Sequence, residues 1–389
     1  MKKIIFVTEA LWIGGIETAL VNLLQSLDYE KYEVTCLILR NDQTMAPRLP
    51  EQVRLLVADR HEAVSFRNPY RHAALFHLTE ESANPSRLHK AMLWAVPIIK
   101  WVENRLYIRY IRENLKDERF DTCVIYSDRT AEAAVRAVNA DRFLMFYHNA
   151  DIGKAYHDAY GYHRSEKIIA VSKAQCEKLK QLRPAFANKM IAIPNHVDVD
   201  SVLRKAAQPV EQPLFPHDGI HLVSCGRLAH QKGFDIAVEV CANLVNKGYT
   251  NLHWYILGVG PLKAQLEKKA GEYGVQDHFH LIGSRNNPFP YMMEADLYVQ
   301  PSRTEGYSLS ILEARVLACP TVATYGAAGE QLNDGVNGTL CEADAQSLTN
   351  AITRHLENPT LSEQYHRALK QFSFERANRD ILDQIEALL

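Results

Sequence analysis

Four charged side chains in the second half of this chain have types and spacing suited to one chemistry. Glu305 and Glu313 stand as E-x7-E within the segment Asp296–Ala314. Arg227 and Lys232 lie about eighty residues earlier, in the run GRLAHQKG. An arginine fork and a lysine point charge make a good pair for a diphosphate. Held beside a departing nucleotide, they would stabilise the charge that builds on it, which is electrostatic catalysis without a metal. Carboxylates accept hydrogen bonds from hydroxyls. Glu305 suits the hydroxyls of a sugar, and Glu313, about two helical turns further on, those of a ribose. Together the four groups suit a nucleotide sugar; the alternative is an ordinary strand–helix unit whose glutamates are solvated.

The elements around these residues place them at strand ends. Leu297-Tyr298-Val299 reads as a buried strand, Pro301 stops it, and Ser302 to Gly306 form a polar loop. Leu309, Leu312 and Val316 then share one helical face. A helix starting near Tyr307–Ser308 presents unpaired N–H groups, those of Ser308 and Leu309, to a phosphate. Gly306 lets the backbone come close to a ligand. Upstream, Ile220–Cys225 is a strand, Arg227 and Lys232 lie in the loop after it, and a helix spans Phe234 to Asn246. His253–Leu257 is the next strand, with Gly258-Val259-Gly260-Pro261 as its tight loop and Pro261 in the first turn of a helix to Ala270. Phe279–Ile282 is another strand, leaving through Gly283 and Arg285.

The first half repeats this layout. Lys3–Thr8 is a strand, Gly14-Gly15 ends the loop, and Ile16 to Leu27 is an amphipathic helix. Strand, glycine-rich loop and helix form a phosphate-cradling arrangement, although no G-x-G-x-x-G is present, which counts against a dehydrogenase. For Gly15 a ligand approach and a tight turn both account for the glycine. His148 follows the strand Phe143–Tyr147 directly, where open α/β sheets bind ligands, with Asn149 and Asp151 behind it. Ser172 caps a helix running to Leu182, with Gln175 at the capping-box position. Asp198-Val199-Asp200 spells D-x-D, read as a turn and helix start rather than a metal site. Gln208–Asp218, rich in proline, is the interdomain linker. Helices fill Asp344–Leu356 and Ser362–Leu389.

G-R-x-x-x-x-K-G followed by E-x7-E, each at a strand–helix junction, resembles the signature of retaining glycosyltransferases of the GT-B fold, family 4 (glycosyl transferases group 1). The resemblance covers most of the chain and is strongest from about 191 to 340. It implies two Rossmann-like doubly wound parallel-sheet domains facing a central cleft. The first would be the acceptor domain, 1–207 with a terminal helix crossing back at about 374–389, and the second, 208–373, the nucleotide-sugar domain. By resemblance Arg227, Lys232, Glu305 and His148 are catalytic. Gly15, Gly258, Gly283, Arg285, Gly306, Tyr307, Ser308, Leu309 and Glu313 bind the donor, with Gly283 and its neighbours under the base. Pro194-Asn195-His196-Val197-Asp198 matches a family turn in which His196 replaces a glycine, a place where histidine would tolerate positive φ. The implied reaction is transfer of a sugar from a nucleoside diphosphate sugar, UDP-sugar favoured, to an acceptor hydroxyl with retention. The acceptor would be a lipid-linked glycan or another cell-surface polysaccharide precursor, with no metal or other cofactor. The rivals are a GT-B sugar-nucleotide epimerase and a catalytically degenerate GT-B protein that serves an active partner.

The bulk properties agree with this class. At 389 residues two domains are expected. A formal charge of −2 gives no reason to expect nucleic acid. Seven cysteines, none in a C-x-x-C pair, point to reduced thiols in a cytoplasmic protein rather than a disulfide framework. The opening MKKIIFVTEA is a first strand rather than a leader peptide, since its apolar run is short and broken by Glu9. Residues 85–116 interleave Trp94 and Trp101 with Arg87, Lys90, Lys100, Arg105, Arg109, Arg112 and Lys116. A basic amphipathic helix of that kind suits peripheral contact with an anionic membrane at its inner face, and equally a core helix pair, kinked by Pro97, with a solvated outer face.

Overall fold

The computed structural model describes residues 1–58, 101–102, 104–148, 159–209, 215 and 218–389. Residues 85–100, Asn149 and Asp151, and most of the linker at 208–218 lie outside the described residues.

Two all-parallel sheets carry the fold. The first holds β1 (Lys2–Thr8), β2 (Tyr32–Ile38), β3 (Arg54–Val57), β4 (Arg119–Ile125), β5 (Asn139–Tyr147), β6 (Lys167–Ala170) and β7 (Met190–Ala192), in the order β3-β2-β1-β4-β5-β6-β7. The second holds β8 (Ile220–Cys225), β9 (Leu252–Leu257), β10 (Phe279–Gly283), β11 (Leu297–Gln300), β12 (Thr321–Thr324) and β13 (Thr339–Cys341), in the order β10-β9-β8-β11-β12-β13. Both orders reverse beside the first strand of the sheet, between β1 and β4 and between β8 and β11. Open α/β sheets bind ligands outside the strand ends at such a switch point.

The central strands are apolar on both faces because helices cover both faces. In β1, Ile4 and Phe6 enter one apolar cluster, while Ile5 and Val7 enter another on the opposite side. Successive residues of a strand point to opposite faces, so one short run serves two cores. The cluster holding Ile4 continues into the second sheet through Val223, Tyr255 and Tyr298. A third, containing Phe234 and Trp254, fills the far side of that sheet. All seven cysteines are buried and unpaired.

Three local expectations are corrected. Pro261 precedes its helix, which begins at Lys263 and ends at Glu272. The C-terminal stretch is two helices, Pro359–Gln371 and Phe374–Glu386, because the Ser373 hydroxyl accepts from the Arg376 N–H and starts a new one. His196 needs no positive φ: among non-glycine described residues only Lys116 and Ala318 have one. It is instead buried, with its imidazole pushed down to about 4 by loss of water.

Candidate active site

The loops leaving β8 to β11 are tied together by their backbones. The Gly226 N–H donates to Leu257 O at 3.0 Å, and the Gly258 N–H to Gly283 O at 3.0 Å. Gly258 and Gly283 are thus parts of one platform at the strand ends. Gly233 has φ +68°, and a Cβ there would lie 2.0 Å from Pro301 O. Only glycine allows the GRLAHQKG loop to pass this close beneath the loop of Ser302–Gly306. That approach brings two of the sequence-identified side chains together. Lys232 Nζ donates to Glu305 Oε1 at 2.6 Å.

Glu305 is held from behind by a buried polar relay. Ser302 Oγ donates to Glu305 Oε1 at 2.7 Å, Gln300 Nε2 to Ser302 Oγ at 2.8 Å, and Tyr298 OH to Gln300 Oε1 at 2.5 Å. Tyr298, Gln300 and Ser302 are fully buried. Satisfied networks in a low-dielectric interior fix geometry, because any other arrangement leaves a group unpaired. Arg303, next in the loop, grips Asp235 through two bonds of 2.7 Å and donates to His230 O at 2.8 Å. The loop is therefore rigid before any ligand arrives. Arg227 is exposed and makes no ion pair among the described residues.

Glu313 lies on the helix Leu309–Val316, about one turn in from its start, while Glu305 sits in the loop before it. Burial raises its carboxyl to about 7, opposed by the nearby cations Lys205 and Arg48. Both cations come from the other sheet's half of the chain, and Arg48 Nη2 also donates to Asn286 O at 3.5 Å. Arg285 is exposed, with Nε 3.3 Å from Tyr291 OH. Tyr307 is part-buried, and burial raises its phenol.

At the start of this helix one expected detail needs correction. The Ser308 N–H donates to Gln331 Oε1 at 2.9 Å, and Gln331 Nε2 returns a bond to Ser308 O at 2.8 Å. The side-chain amide has taken the N–H that the sequence assigns to phosphate. A phosphate at this helix end would meet the next N–H, that of Leu309.

The opposite wall comes from the first sheet. Gly15 opens the helix Gly15–Ser26, is exposed, and would carry a Cβ into open space. No tight turn demands glycine there. His148 ends β5, with its ring 4.7 Å from that of Tyr126 and 5.9 Å from that of Phe146. Burial pushes its imidazole down to about 3, and its Nε2 has no hydrogen-bond partner among the described residues. Buried polar atoms are nearly always paired, so an orphan nitrogen at a strand end marks a place for a ligand group. A Cβ on Gly306 would lie 2.6 Å from His148 O. The two walls therefore meet at Gly306 and His148.

Sequence reasoning missed several residues that belong here: Arg48, Lys205, Gln331, Glu330 and Glu17. Glu17 is buried at the first turn of the helix after Gly15, where an acidic residue near a helix N-terminus was the available signal. The others are brought in by contacts between distant segments, which no local pattern records. Asp198 serves as an N-cap, accepting from the Ser201 N–H at 2.8 Å. Among the described residues, no three His, Cys, Asp or Glu side chains are grouped to hold a metal ion.

Comparison with known proteins now fits this geometry. The family described as Glycosyl transferases group 1 matches residues 208–372, the stretch that carries the Lys232–Glu305 pair. The amylovoran biosynthesis glycosyltransferase AmsK of Erwinia amylovora is 29% identical over 195 residues, covering 46% of this chain and 48% of that protein. A Methanocaldococcus jannaschii glycosyltransferase is 24% identical over 268 residues, covering 63% and 62%. A Campylobacter jejuni 4-alpha-N-acetylgalactosaminyltransferase, named for a diphospho-undecaprenol substrate, is 27% identical over 212 residues, covering 54% and 56%. The match thus spans from about half to just over three-fifths of these relatives' length. Among solved structures, Anabaena Alr3699/HepE in complex with UDP and glucose superposes with a TM-score of 0.70 at 16% identity, covering 99% of this chain and all of that one. WaaG, a glycosyltransferase involved in lipopolysaccharide biosynthesis, superposes with a TM-score of 0.69 at 14% identity, covering 98% and 99%. The fold is GT-B.

Proposed function

We propose that this group 1 chain is a retaining glycosyltransferase that moves a sugar from a UDP-sugar to a hydroxyl of a lipid-linked glycan or related surface-polysaccharide precursor. The observation that carries the reading is the Lys232–Glu305 pair at 2.6 Å, backed by the buried Tyr298–Gln300–Ser302 relay. Lys232 and Arg227 hold the diphosphate and stabilise its charge as the sugar leaves. Glu305 orients the sugar and Glu313 the ribose. Gly258, Gly283, Arg285, Gly306, Tyr307 and Leu309 form the donor cradle, with Gly15 and His148 facing it across the cleft. In this reading 1–207 with 374–389 form the acceptor side, and 208–373 the donor side. The names of the relatives support glycosyl transfer, and the UDP complexes of the Anabaena neighbour support the donor class. Among the described residues none in the cleft is arranged as a covalent nucleophile, which favours a front-face displacement in which the leaving phosphate takes the acceptor proton.

The acceptor class gives a reason for the basic segment at 85–116 to meet an anionic membrane from the cytoplasmic side. In the part described, Trp101 is 55% exposed, with the Arg105 guanidinium 4.2 Å above its ring. Arg109 pairs with Glu113 at 2.8 Å, and Arg112 donates to Arg136 O at 2.8 Å. No helix among the described residues is long and apolar enough to cross a membrane. Co-sedimentation with anionic vesicles at low salt is the check. Binding weakened on replacing Arg105, Arg109 and Trp101 supports the contact, and no binding by the wild type refutes it.

The donor assignment is tested by a thermal-shift panel of UDP, GDP, ADP and their sugar conjugates on the wild type and on Lys232→Ala. A ligand at 100 times its dissociation constant adds about 2.7 kcal/mol to a folded state that alone binds it. A shift with UDP, lost in Lys232→Ala, supports the reading. No shift with any nucleotide at millimolar concentration would overturn it.

A further inference from the structure

Two adjacent side chains outside every motif recognised above connect the donor loop to the other domain. Glu330 and Gln331 follow the short helix Tyr325–Ala328 after β12. Gln331 grips Ser308 at both its N–H and its C=O. Glu330 reaches across the cleft to the start of the helix Lys173–Leu182. Its Oε2 accepts from the Lys173 N–H at 2.8 Å, and its Oε1 from the Ala174 N–H. A helix start carries unpaired N–H groups and the positive end of the helix dipole, so a carboxylate is the group that suits it. The same helix has its own cap, since Ser172 Oγ accepts from the Gln175 N–H at 3.2 Å. Glu330 is therefore not needed to form the helix, and its two bonds join the domains instead. Beside them, Gly306 of the donor loop abuts His148 O, Gln175 and Val171.

We propose that Glu330 and Gln331 act as a clasp: Glu330 holds the domains closed on the helix Lys173–Leu182, and Gln331 passes that closure to the donor loop at Ser308. Both are positioning residues. The inference rests on the transferase reading for its kinetic consequence, while its structural consequence stands without any ligand. Closure brings His148 and the donor loop together, and an enzyme that must assemble its site by closing loses turnover when the closed population falls.

The backbone side of the clasp offers a clean variant. Lys173 is the first residue of its helix, where proline is tolerated because its missing N–H is already outside the helical ladder. Ser172 before it is extended, as a residue preceding proline must be. Lys173→Pro thus deletes one donor to Glu330 without breaking the helix. Glu330→Ala deletes both bonds.

The test uses the full chain with spin labels at Lys178→Cys and Lys268→Cys, both on exposed surface. Every native cysteine is buried, so the introduced thiols label selectively. Inter-label distances are read by pulsed double resonance without ligand, alongside UDP affinity by calorimetry and transfer kinetics. In Glu330→Ala the closed-to-open ratio is expected to fall about tenfold, and in Lys173→Pro by a smaller factor. UDP affinity should change less than twofold in both, while kcat falls five- to tenfold in Glu330→Ala. An unchanged distance distribution in Glu330→Ala would overturn the clasp, whether or not any nucleotide binds. A lowered ratio with kcat unchanged would overturn the positioning role. Absence of UDP binding by the wild type would instead sink the transferase reading and leave the distance result to decide the clasp.

Discussion

Glu17 is 3% exposed, and burial raises its carboxyl to about 8 against the pull of its own backbone N–H. In the unfolded chain the same group loses its proton near the ordinary 4.5. Between those values the unfolded state binds fewer protons than the folded one, so stability falls as pH rises across that window. Glu17→Gln removes the group that must stay protonated. It should match the wild type near pH 4.5 and exceed it at pH 8, by on the order of 4 kcal/mol. Urea unfolding at pH 5, 6, 7 and 8 reads this, and a constant difference at every pH would refute the assignment. The Lys232–Glu305 pair gives the opposite case. Its side chains are 20% and 9% exposed. Lys232→Ala leaves Glu305 with an unmatched charge, which should cost about 1–3 kcal/mol. Adding Glu305→Gln removes that charge and should recover part of the loss. A double variant no better than the single one would show that Lys232 supports the fold through its packed stem alone.

The helix Leu309–Val316 carries Glu313 and ends against Ala318, which has φ +53°. An L-residue in that region costs roughly 1–2 kcal/mol that glycine avoids. Glycine also leaves the unfolded chain freer, which offsets part of the gain. Ala318→Gly is expected to stabilise by about 1 kcal/mol, seen as a higher Tm. An unchanged or lower Tm would mean that the Ala318 methyl, which is buried, packs well enough to outweigh the strain. Elements like this one were legible in the sequence to different depths. Parallel strands announce themselves as short runs such as Ile4–Val7, because burial on both faces leaves no room for polar residues. Strand-end positions followed from them, and with them Arg227, Lys232, Glu305, Glu313 and His148. The start of the last helix near 374 came from the resemblance rather than from the pattern, because an amphipathic period continues through Phe372 and Phe374, and a serine cap inside it looks like one polar position. The Ser308 N–H was assigned to phosphate because its competitor, Gln331, arrives from another strand. Glu330 was invisible for the same reason, as its partners lie at Lys173 and Ala174 in the other domain.

At the scale of the whole molecule, the chain closes on itself. The final helix, Phe374–Glu386, packs on the first sheet's half of the chain although it follows the second in sequence. Thr122 Oγ1 on β4 donates to Leu389 O at 3.1 Å, Asn378 Nδ2 donates to Val197 O at 2.7 Å, and Lys31 meets Glu386 at 3.3 Å. Phe374, Ile385 and Leu389 are buried in the apolar cluster shared by both sheets. At the crossover, Arg315 of the helix bearing Glu313 sits 5.1 Å from the ring of Phe372 and 5.4 Å from that of Phe374. The segment is therefore a strap from the second sheet's half of the chain to the first. Burying three large apolar side chains contributes about 5–9 kcal/mol at 1.5–3 kcal/mol each, comparable to the whole stability of an ordinary domain. Removing residues 373–389 should therefore unfold the first sheet's half at 25 °C, while the second sheet, whose far core around Phe234 and Trp254 does not include the strap, keeps its packing. Calorimetry should show the loss of one unfolding transition, with increased binding of an apolar dye at low temperature. A truncated chain that keeps both transitions within about 2 °C of the wild type would mean that the first sheet holds its core without the strap. Partial stability, with the dye bound but the transition retained, would place the strap's contribution below about 5 kcal/mol.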